Sequence, residues 1–119
     1  MKMINLARGE IDFKFFSPGA IVFEIGQPGD VMSIVTEGEV DVLVCGKVVC
    51  SIAGPGGVLG EMALIDKEPR SATAVARTAC KLLPVDQKKF AVLVQQTPSF
   101  AIEIMQTMAE RLRHMNATL

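Results

Sequence analysis

The stretch VDVLVCGKVVCSI, residues 40–52, decides the fold class of this chain. Its first five residues place valine at every second position, and alternate residues share one face of a β-strand. Gly46 and Lys47 then reverse the chain into a second Val-rich run, because glycine readily adopts the positive φ that tight turns require. The stretch therefore predicts a β-hairpin with one apolar face.

Short segments rich in Val and Ile lie on both sides of this hairpin and are separated by turn residues that include Gly and Pro. The segments that predict further strands are residues 20–25, 31–36, 72–76 and 80–85. Turn signals at this spacing are typical of an all-β sandwich or barrel. We therefore expect residues 13–85 to form a β-barrel.

The end of the chain changes to helical patterns. Asp86 predicts the N-cap of one helix, and Thr97-Pro98 predicts the start of a second, because proline is favoured at the first helical position. Apolar residues of the second helix recur at alternating steps of four and three: Ala101, Met105, Met108, Leu112, Met115 and Leu119. This spacing predicts one apolar seam. The seam either packs on its own domain or pairs partly with a second copy, which leaves a homodimer through this helix open.

Composition bounds the class of protein. The chain has 119 residues, 50% of them hydrophobic, and a formal net charge of −1. This size and apolar content suit one domain over residues 1–119 and exclude a disordered chain. We expect a short helical turn in the N-terminal segment 1–12 and the C-terminal helices in residues 86–119. Without a basic excess to neutralise phosphates, we do not expect nucleic acid as a partner.

Cysteine and histidine limit the chemistry further. The three cysteines are odd in number and include no CxxC pair, so we expect buried, reduced thiols and a cytoplasmic location. His114 is the single histidine, which excludes a multi-histidine metal site. The N-terminus lacks the apolar core of a signal peptide, and no run approaches the length of a membrane span.

The segment GPGGVLGEMALIDKEPRSATA, residues 54–74, carries the candidate chemistry. Its glycine-rich loop leads into a short helix-favouring run, and the free N–H groups of a helix start favour an anion. Pro69 returns the chain to extended structure, and Arg70 beyond it can grip an anion through two hydrogen bonds. Glu61 has the wrong sign for a phosphate but can accept hydrogen bonds from a sugar hydroxyl. The residues alone also fit a plain turn, a solvated arginine and a dipole-complementing glutamate, so both interpretations stay open.

Two runs in this segment, GEMAL at residues 60–64 and PRSAT at residues 69–73, resemble the phosphate-binding cassette of the cyclic nucleotide-binding domain family. This is the sensory module of cyclic-nucleotide-dependent protein kinases, gated channels and catabolite activator proteins. Turn motifs at residues 16–19, 26–30 and 37–40 occur in the family's order. The resemblance implies a mainly β fold with flanking α: an eight-stranded antiparallel jelly-roll (double-stranded β-helix) barrel with C-terminal helices and a cassette at residues 57–74.

The resemblance also implies roles for individual residues. Arg70 would pair with the cyclic phosphate, and the backbone N–H groups of Ala63 and Ser71 would donate to it. Glu61 would accept a hydrogen bond from the ribose 2′-hydroxyl, and Gly60 would let the backbone approach the ligand closely.

Leu64 would lie at the start of the cassette helix and add a further donor. The complete set of ligand-binding residues implied by the resemblance is Gly60, Glu61, Met62, Ala63, Leu64, Arg70, Ser71 and Ala72. No metal, no cofactor beyond the ligand and no catalytic residue is implied.

The implied function is binding of a cyclic mononucleotide by a small stand-alone sensor that signals through movement of its C-terminal helix. A hydroxyl residue after the arginine, here Ser71, is compatible with cyclic GMP but is also common in proteins that respond to cyclic AMP, and we expect cyclic AMP. The family usually continues into a lid helix and an effector domain. Because this chain ends at Leu119, we expect a short lid and action through an unknown effector protein or through its own oligomer.

Two other functions were weighed. A protein–protein interaction module on the same fold would have no need of Glu61 and Arg70, which are both present. A cupin-type enzyme would build its metal site from several histidines, and the chain has one. We therefore do not expect an enzyme.

Overall fold

The predicted hairpin is present in the computed structural model, which describes residues 12–117 and, for residues 65, 66 and 114–117, the backbone alone. Strand β4, Glu39–Val44, pairs with β5, Lys47–Ala53, in antiparallel register. The two turn residues are Cys45 and Gly46, with φ of 53° and 76°, so Lys47 already belongs to the strand. Two positive φ angles in a two-residue loop match the right-handed twist of the strands that it joins.

Residues 12–117 contain eight antiparallel strands, as the family resemblance implied. Besides the hairpin they are β1 Lys14–Phe16, β2 Ile21–Phe23, β3 Met32–Glu37, β6 Gly57–Leu59, β7 Thr73–Ala76 and β8 Cys80–Val85. The strand β6 was expected to be part of a glycine-rich loop. It pairs with β3 because its valine and leucine are buried in the core, and the ladder satisfies the backbone polar groups there.

The strands divide into two sheets of four, in the orders β1-β8-β3-β6 and β2-β7-β4-β5. The expectation of a barrel is therefore corrected in one respect, since among residues 12–117 no ladder joins the edge of one sheet to the other. The sheets instead face each other across an apolar layer. That layer contains the buried side chains of Val35, Val40, Ile52, Leu59, Ala74, Ala76, Cys80 and Leu82.

A second apolar layer lies between the first sheet and the helices. Its buried side chains are Met32, Ile34, Val58, Leu64, Leu83, Val85, Leu93, Phe100 and Ile104. Strand β8 serves both layers, since Leu82 faces the other sheet and Leu83 faces the helices. Its near-continuous apolar sequence reflects burial on both faces.

Three helices complete the described structure: α1 Glu61–Asp66, α2 Gln87–Gln96 and α3 Ser99–Ala117. The predicted N-cap is confirmed, because the N–H of Lys89 donates to the Asp86 carboxylate at 2.8 Å. Helix α3 begins directly after Thr97-Pro98, also as predicted. The rings of Phe90 and Phe100 lie 5.4 Å apart between their centroids and hold α2 against α3.

The predicted seam of α3 faces the core only in part. Phe100 and Ile104 are buried in the apolar layer and Met108 of the seam packs against it, whereas Met105 and Leu112 are 55% and 59% exposed. The heptad spacing continued through Met115 and Leu119, whose side chains lie outside the described residues, as does nearly all of the N-terminal segment 1–12. The helix therefore buries the face that carries Phe100 and Ile104, and the exposed part of the seam lies beside that face.

The cysteines also differ in part from expectation. Cys80 is buried, Cys50 is half-buried and Cys45 is exposed at the hairpin turn, and all three are free thiols. Burial raises the pKa of the Cys50 thiol.

In the described part of the chain, none of the helices has the length and apolar character needed to cross a bilayer. Residues 12–117 also contain no cluster of three or more acidic, His or Cys side chains placed to hold a metal ion.

We expect Phe100→Ala to lower the free energy of unfolding by about 3–5 kcal/mol, because it removes a fully buried ring from the layer under the helices. Urea unfolding followed by circular dichroism measures this loss. The matched control is Val92→Ala on α2, where the side chain is 41% exposed and the change should stay within about 0.5 kcal/mol. Equal losses in the two variants would contradict the described packing of α3.

Candidate functional site

The predicted cassette has a sharp backbone turn at each end of its helix. Gly60 has a φ of 71° and turns the chain from β6 into α1. Lys67, with a φ of 58°, ends the helix, and its N–H donates to the carbonyl of Ala63 at 3.0 Å. The resemblance implied that Leu64 lies at the start of this helix, but Leu64 is inside it, because the helix begins at Glu61. The short helix and the return to extended structure after Pro69 agree with the sequence analysis.

The backbone of Arg70 is fixed by the loop between β2 and β3. The N–H of Gly26 donates to the carbonyl of Arg70 at 2.7 Å, and the N–H of Arg70 donates to the carbonyl of Gln27 at 2.8 Å. These two hydrogen bonds join segments more than 40 residues apart in the sequence. The start of the arginine side chain is therefore set by a loop outside the cassette.

The guanidinium of Arg70 is also held by that region. Its Nη2 donates to the carbonyl of Val31 at 2.8 Å, and its Cζ lies 4.2 Å from the centroid of the Phe23 ring. A guanidinium over an aromatic face gains a cation–π attraction. The protein's own groups thus give the side chain a defined position.

One donor of Arg70 is left over. Its Nη1 is buried and has no hydrogen-bond partner among the described residues. Burial lowers the pKa of Arg70 because the cation loses hydration, and the nearby Asp30 charge opposes this shift. A buried, unpaired charged donor is costly unless an acceptor is supplied. Nη1 is therefore a donor of this site that lacks an acceptor in the described part of the chain.

Gly60 contacts the same nitrogen. A Cβ on Gly60 would collide with Nη1 of Arg70, and the positive φ of Gly60 disfavours other residues in any case. The missing side chain therefore leaves room for the arginine. Its further predicted role, close approach of the backbone to a ligand, remains a prediction.

Glu61 is the one buried acidic residue of the described chain, with 4% of its surface exposed. Its carboxylate pairs with Nη1 of Arg111 on α3, and Nη2 of the same guanidinium donates to the carbonyl of Val58 on β6. One arginine therefore joins the last helix to both the cassette and the sheet. The negative charge that the sequence analysis assigned to a ribose is thus balanced within the protein.

The other predicted site residues differ in their surroundings. Met62 and Ser71 are exposed, Ala72 is half-buried, and Ala63 and Leu64 are buried. Leu64 contributes its side chain to the apolar layer under the helices. The structure thus brings together Gly60, Glu61 and Arg70, whereas the Leu64 side chain has a packing role.

Sequence reasoning missed the residues that hold the two charged groups. The sequence analysis gave Arg111 no role at the site, and it included Phe23 only within the predicted strand at residues 20–25. One signal was available: Glu61 follows an apolar run, and a carboxylate that becomes buried needs a cation as its partner. Its identity could not follow from spacing, because Arg111 lies 50 residues away in the sequence.

The comparisons with known proteins agree with this geometry. The family model described as "Cyclic nucleotide-binding domain" matches residues 13–97. The chain is 43% identical over 93 residues to a cyclic nucleotide-gated potassium channel of Mesorhizobium japonicum, covering 78% of this chain and 25% of the channel.

Solved structures show the same fold. The catabolite activator protein of Thermus thermophilus is similar with a TM-score of 0.82 at 26% identity, covering 98% of this chain and 57% of that one. The structure of PKAR CBD2 bound to Sp-2Cl-cAMPS is similar with a TM-score of 0.75 at 26% identity, covering 91% and 71%. The chain spans from a quarter to 56% of the length of the first curated relatives that it matches.

We expect Arg111→Met to lower the free energy of unfolding by about 2–4 kcal/mol, because the buried Glu61 carboxylate loses its counter-charge. Adding Glu61→Gln to that variant should recover part of the loss, since no unpaired charge then remains. Urea unfolding of the wild type, Arg111→Met, Glu61→Gln and the double variant gives the coupling energy between the two residues. The exposed Arg113 on the same helix offers the matched control, Arg113→Met, for which a loss equal to that of Arg111→Met would contradict the pairing.

Proposed function

Because this chain belongs to the cyclic nucleotide-binding domain family, we propose that it binds a cyclic mononucleotide, cyclic AMP in preference to cyclic GMP, as a regulatory sensor. The proposal takes residues 1–119 as one domain with a binding role and no catalytic one. The observation that carries it is the buried Nη1 of Arg70, which lacks an acceptor among the described residues.

The phosphate would be bound at Arg70. The guanidinium already has one donor on Val31 and one face on Phe23, so an incoming phosphate meets a side chain whose position is set. A charge-assisted hydrogen bond to Nη1 would satisfy the unpaired donor. We propose that the backbone N–H groups of Ala63 and Ser71 contribute further hydrogen bonds.

The ribose would be recognised by Glu61, next to Gly60 at the start of α1. A carboxylate only accepts hydrogen bonds, which suits the 2′-hydroxyl of a cyclic nucleotide. In this structure the carboxylate is engaged by Arg111. The ribose hydroxyl would therefore share it with Arg111 or displace that guanidinium, and either outcome alters the link to α3.

The preference for cyclic AMP is supported in two ways. The similar structure of PKAR CBD2 holds the cyclic AMP analogue Sp-2Cl-cAMPS. Another relative is a cyclic AMP receptor protein of Thermus thermophilus, 28% identical over 120 residues. Ser71 is exposed beside Arg70 and would meet the ligand at its base or phosphate side. Met62 and Ala72 would complete the predicted contact surface.

The signal would pass through α3. Arg111 joins this helix to the cassette at Glu61 and to strand β6 at Val58, so a change at Glu61 is transmitted to the helix directly. A ligand shifts such an equilibrium only if it binds one arrangement better than the other. The exposed stripe with Met105 and Leu112 would then serve a second copy of the chain or an effector protein in the cytoplasm.

We expect Arg70→Ala to weaken binding of cyclic AMP at least tenfold, since it removes the charged donor on which the phosphate depends. Isothermal titration of both proteins with cyclic AMP, cyclic GMP and 5′-AMP measures this, with cyclic AMP expected to bind best. Equal affinities in the wild type and the variant would overturn the proposed function. Absence of binding to any of the three would favour a protein–protein module on the same fold.

We also expect cyclic AMP to change amide hydrogen exchange in α3, and the change at saturating ligand to shrink at least twofold in Arg111→Met, because the link to Glu61 is then lost. Exchange followed by mass spectrometry measures it, and the exposed Glu110 gives the control variant Glu110→Gln. An undiminished change in Arg111→Met would contradict signalling through this pair.

A further inference from the structure

The loop between β2 and β3 does more than connect two strands, because it encloses the side chain of Arg70. Its residues Gly26 and Gln27 hold the arginine backbone by two hydrogen bonds. The ring of Phe23, just before the loop, lies against the guanidinium, and the carbonyl of Val31, the last residue of the loop, accepts from Nη2. The hydrogen bonds and the cation–π contact described for this side chain therefore come from outside the cassette.

Within that loop Gly29 stands closest to the guanidinium. A Cβ built on Gly29 would collide with Nε of Arg70 and lie 2.6 Å from its Cζ and 3.0 Å from its Cδ. The backbone of Gly29 is not in the positive-φ region, so it does not need glycine for its conformation. The space left by its missing side chain is instead filled by the arginine.

We propose that Gly29 is a positioning residue for Arg70. Because Gly29 has no side chain, the guanidinium of Arg70 fits between the loop and Phe23, with Nη1 directed towards Gly60. Gly60 and Gly29 then both leave space for the guanidinium of Arg70, since a Cβ on either residue would collide with it. A planar guanidinium binds a phosphate well only at a defined angle. The inference deepens the proposed function and rests on it.

The two glycines differ in a way that makes Gly29 the sharper test. Alanine at Gly60 would strain the backbone at a φ of 71°, which confounds any loss of binding with a loss of stability. Alanine at Gly29 strains no backbone angle and meets only the end of the Arg70 side chain, so its cost in stability is limited to the contacts of that guanidinium with Val31 and Phe23. An effect on binding then reports the position of the guanidinium.

The experiment compares the wild type, Gly29→Ala, Arg70→Ala and the double variant, each titrated with cyclic AMP by calorimetry and unfolded in urea. We expect Gly29→Ala to bind about fivefold more weakly or worse, with a loss of stability no larger than that of Arg70→Ala. The double variant should bind as Arg70→Ala does, within about twofold, because Gly29 acts through that side chain alone. Gly46→Ala is the opposite control, since its φ of 76° is strained and no atom lies within 4 Å of its Cβ. It should lose stability and keep the affinity.

The outcomes separate the inference from the function beneath it. If Arg70→Ala weakens binding while Gly29→Ala binds like the wild type, or if the two losses add, the positioning role is wrong and the proposed function stands. If Arg70→Ala binds like the wild type, the proposed function itself fails.

A measurement without ligand keeps the inference testable in that case as well. The Nε–H proton of Arg70 should show a ring-current shift from Phe23, which lies 4.2 Å from the guanidinium carbon. The signal is identified by its loss in Arg70→Ala. It should move towards the ordinary arginine position in Gly29→Ala, and an unmoved signal would overturn the inference.

Discussion

The carboxylate of Glu61 is the constraint around which the functional end of this molecule is arranged. A charged group that is 4% exposed must have a counter-charge, because an unpaired buried charge costs several kcal/mol. Arg111 supplies it from the last helix and at the same time donates to the backbone of β6 at Val58. The position of α3 is therefore tied to the cassette by electrostatics, in addition to the apolar layer beneath Phe100.

Arg70, later in the same cassette, is in the complementary situation. It is held at its backbone, at Nη2 and over its face, yet Nη1 has no acceptor among the described residues. The cassette thus contains a buried carboxylate whose charge is paired and an arginine with one unpaired donor. In the function that we propose, the phosphate of the ligand would satisfy Arg70 and its sugar hydroxyl would approach Glu61.

The strands show how far local sequence reasoning extends. The hairpin at residues 40–52 and the Asp86 cap were predictable, since alternation, turn glycines and capping are set by neighbouring residues. Strand β6 was not, because a three-residue strand with a glycine becomes a strand only through its partner β3. The separation into two sheets was also missed, since the spacing of strands is the same for a sandwich and a barrel.

Helix α3 shows a similar limit. It has more apolar residues than one face can hold. The regular spacing identified the seam that includes Met105 and Leu112, whereas in the structure the neighbouring face with Phe100 and Ile104 is buried. Side-chain size does not explain the choice, because Ile104 is buried and Ile102 is exposed, so the buried face is set by how the helix packs under the first sheet. The exposed stripe remains available as an interaction surface.

By itself the sequence determined the β-then-α order, the turns, the helix caps and the presence of Glu61 and Arg70 in a cassette, because these depend on residues close together in the chain. Only the tertiary structure decided which groups hold those charges. Arg111 reaches Glu61 across 50 residues, and the loop around Gly29 encloses Arg70 across about 40. Such pairings arise when buried charges and donors must be satisfied in a folded core, and nothing in local spacing encodes them.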